Sequence, residues 1–143
     1  MRVLVDTNII LDFLHSGLLT RKSAIFYAEA LFQKIAYGQI MGYATATTLT
    51  DIFHLARRHT QSIERARQVI SITLSAIEIC PVDRSVLELA LASTTLDFED
   101  AVQIACASIQ GLDAIVTRAA ELSTTLVPVL SVSQVLQQLE RFE

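Results

Sequence analysis

The sequence predicts an α/β fold, with a parallel sheet of four to five short strands sandwiched between helical layers. Three observations predict it. Short apolar runs alternate with longer stretches whose apolar residues recur at helical spacing. Apolar residues make up 52% of the chain and charged ones only 18%, with a mean hydropathy of +0.46, which suits a sheet covered on both faces. The 143 residues fit one domain spanning 1–143, with no low-complexity stretch, linker or repeat to divide it.

Residues 1–5 read as a short buried strand that ends at Asp6. Residues 7–14 follow as a short helix, with a turn at Ser16-Gly17. Residues 21–37 carry Ala24, Ala28, Leu31, Phe32 and Ile35 at helical spacing, and Gly38 stops that helix. Residues 39–43 form the second candidate strand. Helices at 47–59 and 62–74, joined near Thr60-Gln61, lead to a third strand at 76–80 closed by Pro81. The alternation then repeats. Residues 83–93 are helical with Asp83 as N-cap, and Asp97 opens a helix that runs to Ile109 and ends at Gly111. Residues 113–117 make a fourth strand around Ala114-Ile115-Val116. Residues 127–130 are an edge strand, since Pro128 cannot donate to a ladder. Ser131 or Ser133 caps a last helix to about Leu139.

No run approaches the roughly 18 apolar residues of a membrane span. The strand-like Arg2-Val3-Leu4-Val5 is unlike a signal peptide, so the expectation is a cytoplasmic protein without membrane contact. Cys80 and Cys106 sit among apolar neighbours, too far apart for a CxxC motif, and read as small buried hydrophobes. His15 has no visible partner and reads as a surface residue. The apolar surplus suits self-association as a homodimer. A net charge of −4 and a pI near 5.3 weigh against passive binding of nucleic acid. They do not exclude a nuclease whose acids are neutralised by metal ions.

In parallel α/β sheets, sites form beyond the carboxyl ends of the strands, so the acids that follow strands or open helices are the ones to weigh. Asp6 is the most informative, because a carboxylate there points into the crevice above the sheet; an ordinary helix N-cap accounts for it equally well. Asp51, in Thr50-Asp51-Ile52-Phe53, reads on its own as a solvated acid favoured by the helix dipole. The threonine-rich start Ala46-Thr47-Thr48-Leu49-Thr50 could nonetheless hold it rigidly. In Asp97-Phe98-Glu99-Asp100, the three-residue spacing makes Asp97 the cap and leaves Asp100 for function. Glu99 is expected to face away from Asp100, into solvent or at most into an outer supporting layer. Three separated acids, with no histidine or cysteine spacing for zinc, suit a hard cation such as Mg²⁺ or Mn²⁺. Such an ion would relieve their repulsion and lower the pKa of water for attack on a phosphodiester.

Three strings carry a family resemblance: Val3-Leu4-Val5-Asp6-Thr7-Asn8-Ile9-Ile10-Leu11-Asp12, Asp97-Phe98-Glu99-Asp100-Ala101-Val102-Gln103 and Asp113-Ala114-Ile115-Val116-Thr117-Arg118. In order and spacing they resemble a PIN domain over nearly the whole chain. The resemblance implies a three-layer α/β/α fold and an endoribonuclease that uses Mg²⁺ or Mn²⁺ held by three or four acids. It also implies an RNA substrate. An antitoxin partner follows if the chain is a toxin of the VapC type, as many bacterial members are. By similarity Asp6 matches the family's first acid and Asp100 its third, while Asp51 stands where most members carry the longer Glu. After Thr117-Arg118 the family commonly has Asn or Asp, and this chain has Ala119; Glu121 is the nearest substitute.

Around these acids, Thr117 either completes its strand or hydrogen-bonds a carboxylate, and Asn8 orients Asp6 or, as we expect, bonds the turn backbone. A basic cluster of His54, Arg57, Arg58, His59, Arg65 and Arg67, broken by Glu64, holds four of the 11 Lys and Arg residues. His54, Arg57 and Arg58 share a helix face there, for contact with RNA phosphate, for an acidic partner peptide, or simply for solvent. Two other functions compete with a nuclease. One is a degenerate PIN-like module for RNA binding or partner docking, favoured by Ala119 and the acidic pI. The other is a phosphatase of the haloacid-dehalogenase type, disfavoured because Asn8 stands where its second aspartate belongs and no glycine-rich phosphate loop exists.

Overall fold

The computed structural model describes residues 1–14, 21–118 and 122–141. The expected turn at Ser16-Gly17, and His15, Ala119 and Glu121, lie outside these residues. In chain order the elements are β1 (Arg2–Val5), α1 (Thr7–Leu14), α2 (Lys22–Ala36), β2 (Met41–Thr45), α3 (Ala46–Thr60), α4 (Ile63–Ala76), β3 (Glu78–Cys80), α5 (Arg84–Ala92), α6 (Phe98–Ile109), β4 (Ala114–Val116), β5 (Val129–Leu130) and α7 (Val132–Arg141). The five strands form one parallel sheet in the order β3-β2-β1-β4-β5, which gives the α/β sandwich expected from the sequence.

Side-chain alternation along the central strands builds a separate core on each face of the sheet. Val3 and Val5 of β1, Ala44 of β2, and Ala114 and Val116 of β4 pack with α1, α2, α3 and α7. Leu4 and Ile115 point the other way, onto α5 and α6. Helix α6 buries an unbroken run from Ala101 to Ala107, so it is enclosed nearly all round rather than along one stripe. Gly111 follows it with φ +64°, where a side chain would be strained. Cys80 and Cys106 are buried and unbridged, and burial pushes their thiols up to about 11 and about 12. Among the described residues no helix is long and apolar enough to cross a membrane.

Two strands begin later than their sequence pattern suggests. The amides of Gln39 and Ile40 bond back to the Lys34 carbonyl to close α2, and the ladder with β1 starts only at Met41. Helix α4 likewise runs on to Ala76, with the Ile77 amide bonded to the Thr73 carbonyl, so β3 is three residues rather than five.

Candidate metal and nucleic-acid site

The register of the sheet builds the floor of the site. Val5 pairs with Val116, so the residues just beyond the two strand ends, Asp6 and Thr117, lie side by side. The Asp6 amide donates to the Val116 carbonyl at 3.0 Å, and the Thr117 hydroxyl donates to Asp6 Oδ2 at 2.8 Å. Asp6 Oδ1 accepts from the Thr7 amide at 2.8 Å and from Gln103 Nε2 at 3.0 Å. Asp6 is only 8% exposed, yet both its oxygens are satisfied and its orientation is fixed from three directions.

Threonines carry the next junction. Thr45, the last residue of β2, caps α3 by accepting from the Thr48 amide at 3.1 Å. Its hydroxyl also bonds the Thr48 hydroxyl at 3.0 Å, and Thr7 donates to the same Thr48 oxygen at 3.2 Å. The start of α3 is thus tied to the start of α1, which sets where Asp51 comes to lie. On α6, Asp97 accepts from the Asp100 amide at 2.9 Å, so the local spacing works as a cap.

These three junctions enclose a cavity of about 450 Å³ lined by Asp6, Asp51, Asp97, Glu99, Asp100 and Gln103, with Thr7, Asn8, His54, Leu55 and Arg58 completing its walls. Asp6, Asp51 and Asp100 therefore share one cavity. Asn8 is exposed at the cavity edge and, among the described residues, bonds no turn backbone, contrary to the expectation. Of the basic trio, His54 and Arg58 line the cavity and Arg57 does not.

Glu99 is exposed, as expected, but it also lines the cavity, where its carboxyl hydrogen-bonds that of Asp51. That bond, then burial, then the charges of Asp51, Asp97 and Asp100 raise its pKa to about 7. Adjacent positions on α6 do diverge, as helix geometry requires, but Glu99 meets an acid arriving from α3.

Two further residues belong to this end of the sheet. Gln103 holds Asp6 through its amide nitrogen, while its Oε1 is buried with no hydrogen-bond partner among the described residues. Asp12, on α1, is buried and ion-paired with Arg118, with Nε 2.7 Å from Oδ2 and Nη2 donating to Oδ1 at 3.1 Å. Only the second contact is aligned as a hydrogen bond, so Oδ2 is held by charge alone. Both had a sequence signal, a lone polar side chain inside an apolar run: Val102-Gln103-Ile104 and Leu11-Asp12-Phe13.

Among the described residues, no three Asp, Glu, His or Cys side chains stand close enough together to form a ready-made metal cage. The donor chemistry nevertheless fits a hard cation. The cavity offers carboxylate oxygens, the buried Gln103 Oε1 beside Asp6 lacks a partner among the described residues, and the crowding that raises the Glu99 pKa to about 7 is what a cation would relieve.

Residues 2–120 match the family model of the PIN domain. The chain belongs to the PIN domain family. Solved structures resemble this PIN domain over most of its length. A toxin–antitoxin complex from Klebsiella pneumoniae is 24% identical with a TM-score of 0.64, covering 91% of this chain and 97% of that one. VapC20 of Mycobacterium tuberculosis, a toxin that cleaves the sarcin–ricin loop, is 16% identical with a TM-score of 0.64, covering 84% and 92%. VapBC2 of Rickettsia felis, bound to a DNA fragment from its promoter, is 15% identical with a TM-score of 0.63, covering 92% and 98%. At these identities the likeness establishes the fold. A search of curated protein sequences finds no match.

Proposed function

We propose that this PIN domain is a cytoplasmic, Mg²⁺- or Mn²⁺-dependent endoribonuclease acting as the toxin of a toxin–antitoxin pair. The observation that carries the reading is the rigidly held Asp6 at the floor of a cavity whose walls bring Asp51 and Asp100 to it from two other helix starts. Family membership and the toxins among its structural neighbours support the same reading.

Asp6, Asp51 and Asp100 would hold the ion. When bound, the ion supplies Lewis acidity, lowering the pKa of water for in-line attack and offsetting charge on the departing oxygen. The chain's own contribution is positional. Thr117, Gln103 and the Thr7 amide keep Asp6 from rotating. The Thr45–Thr48–Thr7 bonds fix α3 and hence Asp51. Asp97 spends its carboxylate on the α6 cap and so holds Asp100 at the cavity. Glu99 hydrogen-bonds Asp51 at the cavity, and the acids around it raise its pKa to about 7.

The test is cleavage of mixed RNA with Mg²⁺ or Mn²⁺ by wild type and by Asp6→Asn and Asp100→Asn. Cleavage is expected to vanish with chelation and to fall at least 100-fold in both variants. Cleavage that survives both sinks the mechanism. Ala119, at the position of a usual family acid, favours a second reading, a catalytically weak module for RNA binding or partner docking. Metal binding without cleavage would select it. The exposed Leu91 and Leu96 support a homodimer, which sizing by light scattering tests.

A further inference from the structure

On the assumption that this cavity is a ribonuclease site, we propose that Arg58 and His54 form a phosphate-binding wall on its α3 side, gripping an RNA phosphate next to the one under attack. Asp51, His54, Leu55 and Arg58 follow one another at three- and four-residue helical spacing, and all four line the cavity. One stripe of α3 therefore presents an acid near its start and two basic groups one and two turns later. Arg57, the neighbour in sequence, lies outside the cavity.

Five carboxylates line the same cavity, yet neither Arg58 nor His54 has a charged partner among the described residues. The His54 ring is instead held edge-on against Phe53, with centroids 5.8 Å apart. An exposed guanidinium left unpaired beside so many acids is available for an incoming anion. Its planar fork of donors matches two phosphate oxygens at once. Arg57 and Arg58 on α3, with Arg65 and Arg67 on α4, make four of the 11 Lys and Arg residues in a protein of net charge −4. Of these four, Arg58 alone lines the cavity.

The two walls favour a nucleic-acid strand over an acidic peptide. A strand carries a phosphate on every nucleotide, so one can lie at the acid wall with its cation while the next meets Arg58. A lone peptide carboxylate satisfies one wall and is repelled by the other.

Binding is measured by fluorescence anisotropy of an end-labelled, mixed-sequence single-stranded RNA in Mg²⁺, with Asp6→Asn or, should that variant misfold, Asp100→Asn as the non-cleaving background. Arg58→Gln is expected to weaken binding about tenfold and to reduce the slope of log affinity against log salt by about 1. His54→Gln should weaken it about threefold, and Arg57→Gln less than twofold. In the cleaving protein, Arg58→Gln should raise KM about tenfold with kcat within threefold, and Arg58→Lys should recover part of the loss. Equal effects of Arg57→Gln and Arg58→Gln, or a change in kcat alone, would overturn the proposal. So would Arg58-dependent binding of a poly-glutamate peptide with RNA binding unaltered. If the wild type does not cleave RNA but the anisotropy differences hold, the nuclease reading fails and the phosphate wall stands. If it cleaves with no Arg58 effect, the wall fails and the nuclease stands.

Discussion

Arg118→Gln would leave the Asp12 carboxylate buried without its counter-charge. The Asp12 side chain is 2% exposed and the Arg118 side chain 51%, so water reaches one partner and not the other. Breaking a fully buried pair costs about 3–5 kcal/mol. With half the guanidinium in solvent, the expected loss is about 2 kcal/mol, or about 6 °C in Tm for a chain of this size. The sign of the pH dependence follows from Asp12. Burial raises its pKa above 3.8, and Arg118 pulls it back down. Without Arg118 the folded-state pKa rises further, while the unfolded value stays put. The folded variant then holds the proton over a wider range than the unfolded chain, so its stability falls as pH rises through that window. Urea denaturation should give the full deficit at pH 7.5 and a smaller one at acid pH, as protonation of Asp12 removes the uncompensated charge. Asp12→Asn combined with Arg118→Gln should be less destabilised at pH 7.5 than Arg118→Gln alone. A deficit under about 0.5 kcal/mol, or one that is the same at both pH values, would refute the account.

Thr117→Val keeps the shape of the side chain and removes the donor to Asp6 Oδ2. A loss of about 1–2 kcal/mol in urea and an RNA cleavage rate down about tenfold are expected; unchanged cleavage would mean that this bond does not position Asp6. Glu99→Gln removes one acid from a crowded set while keeping a hydrogen-bonding group toward Asp51, so Tm should rise as Mg²⁺-dependent cleavage falls, and a lower Tm would contradict the repulsion inferred here. Asp97→Ala should cost about 1 kcal/mol through loss of the α6 cap, with Asp97→Ser recovering most of it in thermal melts.

Local signals in this sequence were legible and distant ones were not. The Asp97 cap, the stop at Gly111 and the strand before Asp6 each depend on a few neighbouring residues, and each is where the pattern placed it. The late starts of β2 and β3 were hidden because helix ends and ladder register compete for the same backbone amides. The role of Gln103 is not legible locally, because its partner Asp6 is 97 positions away. The contact of the exposed Glu99 with Asp51 was hidden for a similar reason: spacing on α6 fixes its direction relative to Asp100 but carries no information about which face of α3 comes to meet it. The cavity-lining side of the basic cluster needed the same tertiary information, which divides Arg58 from Arg57.

Helix α6 serves two masters. Its run from Ala101 to Ala107 fills the core beneath the sheet, and Asp97, Asp100 and Gln103 reach into the cavity from the same rod. A substitution that shifts it disturbs packing and chemistry together, which leaves little freedom for drift. Helix α3 buries only Thr48, Ile52 and Ala56, so most of its surface can vary at little cost to folding. Descendants of this chain that change target would therefore be expected to rewrite the exposed positions of α3, keeping Thr48 and Asp51, and to leave α6 alone.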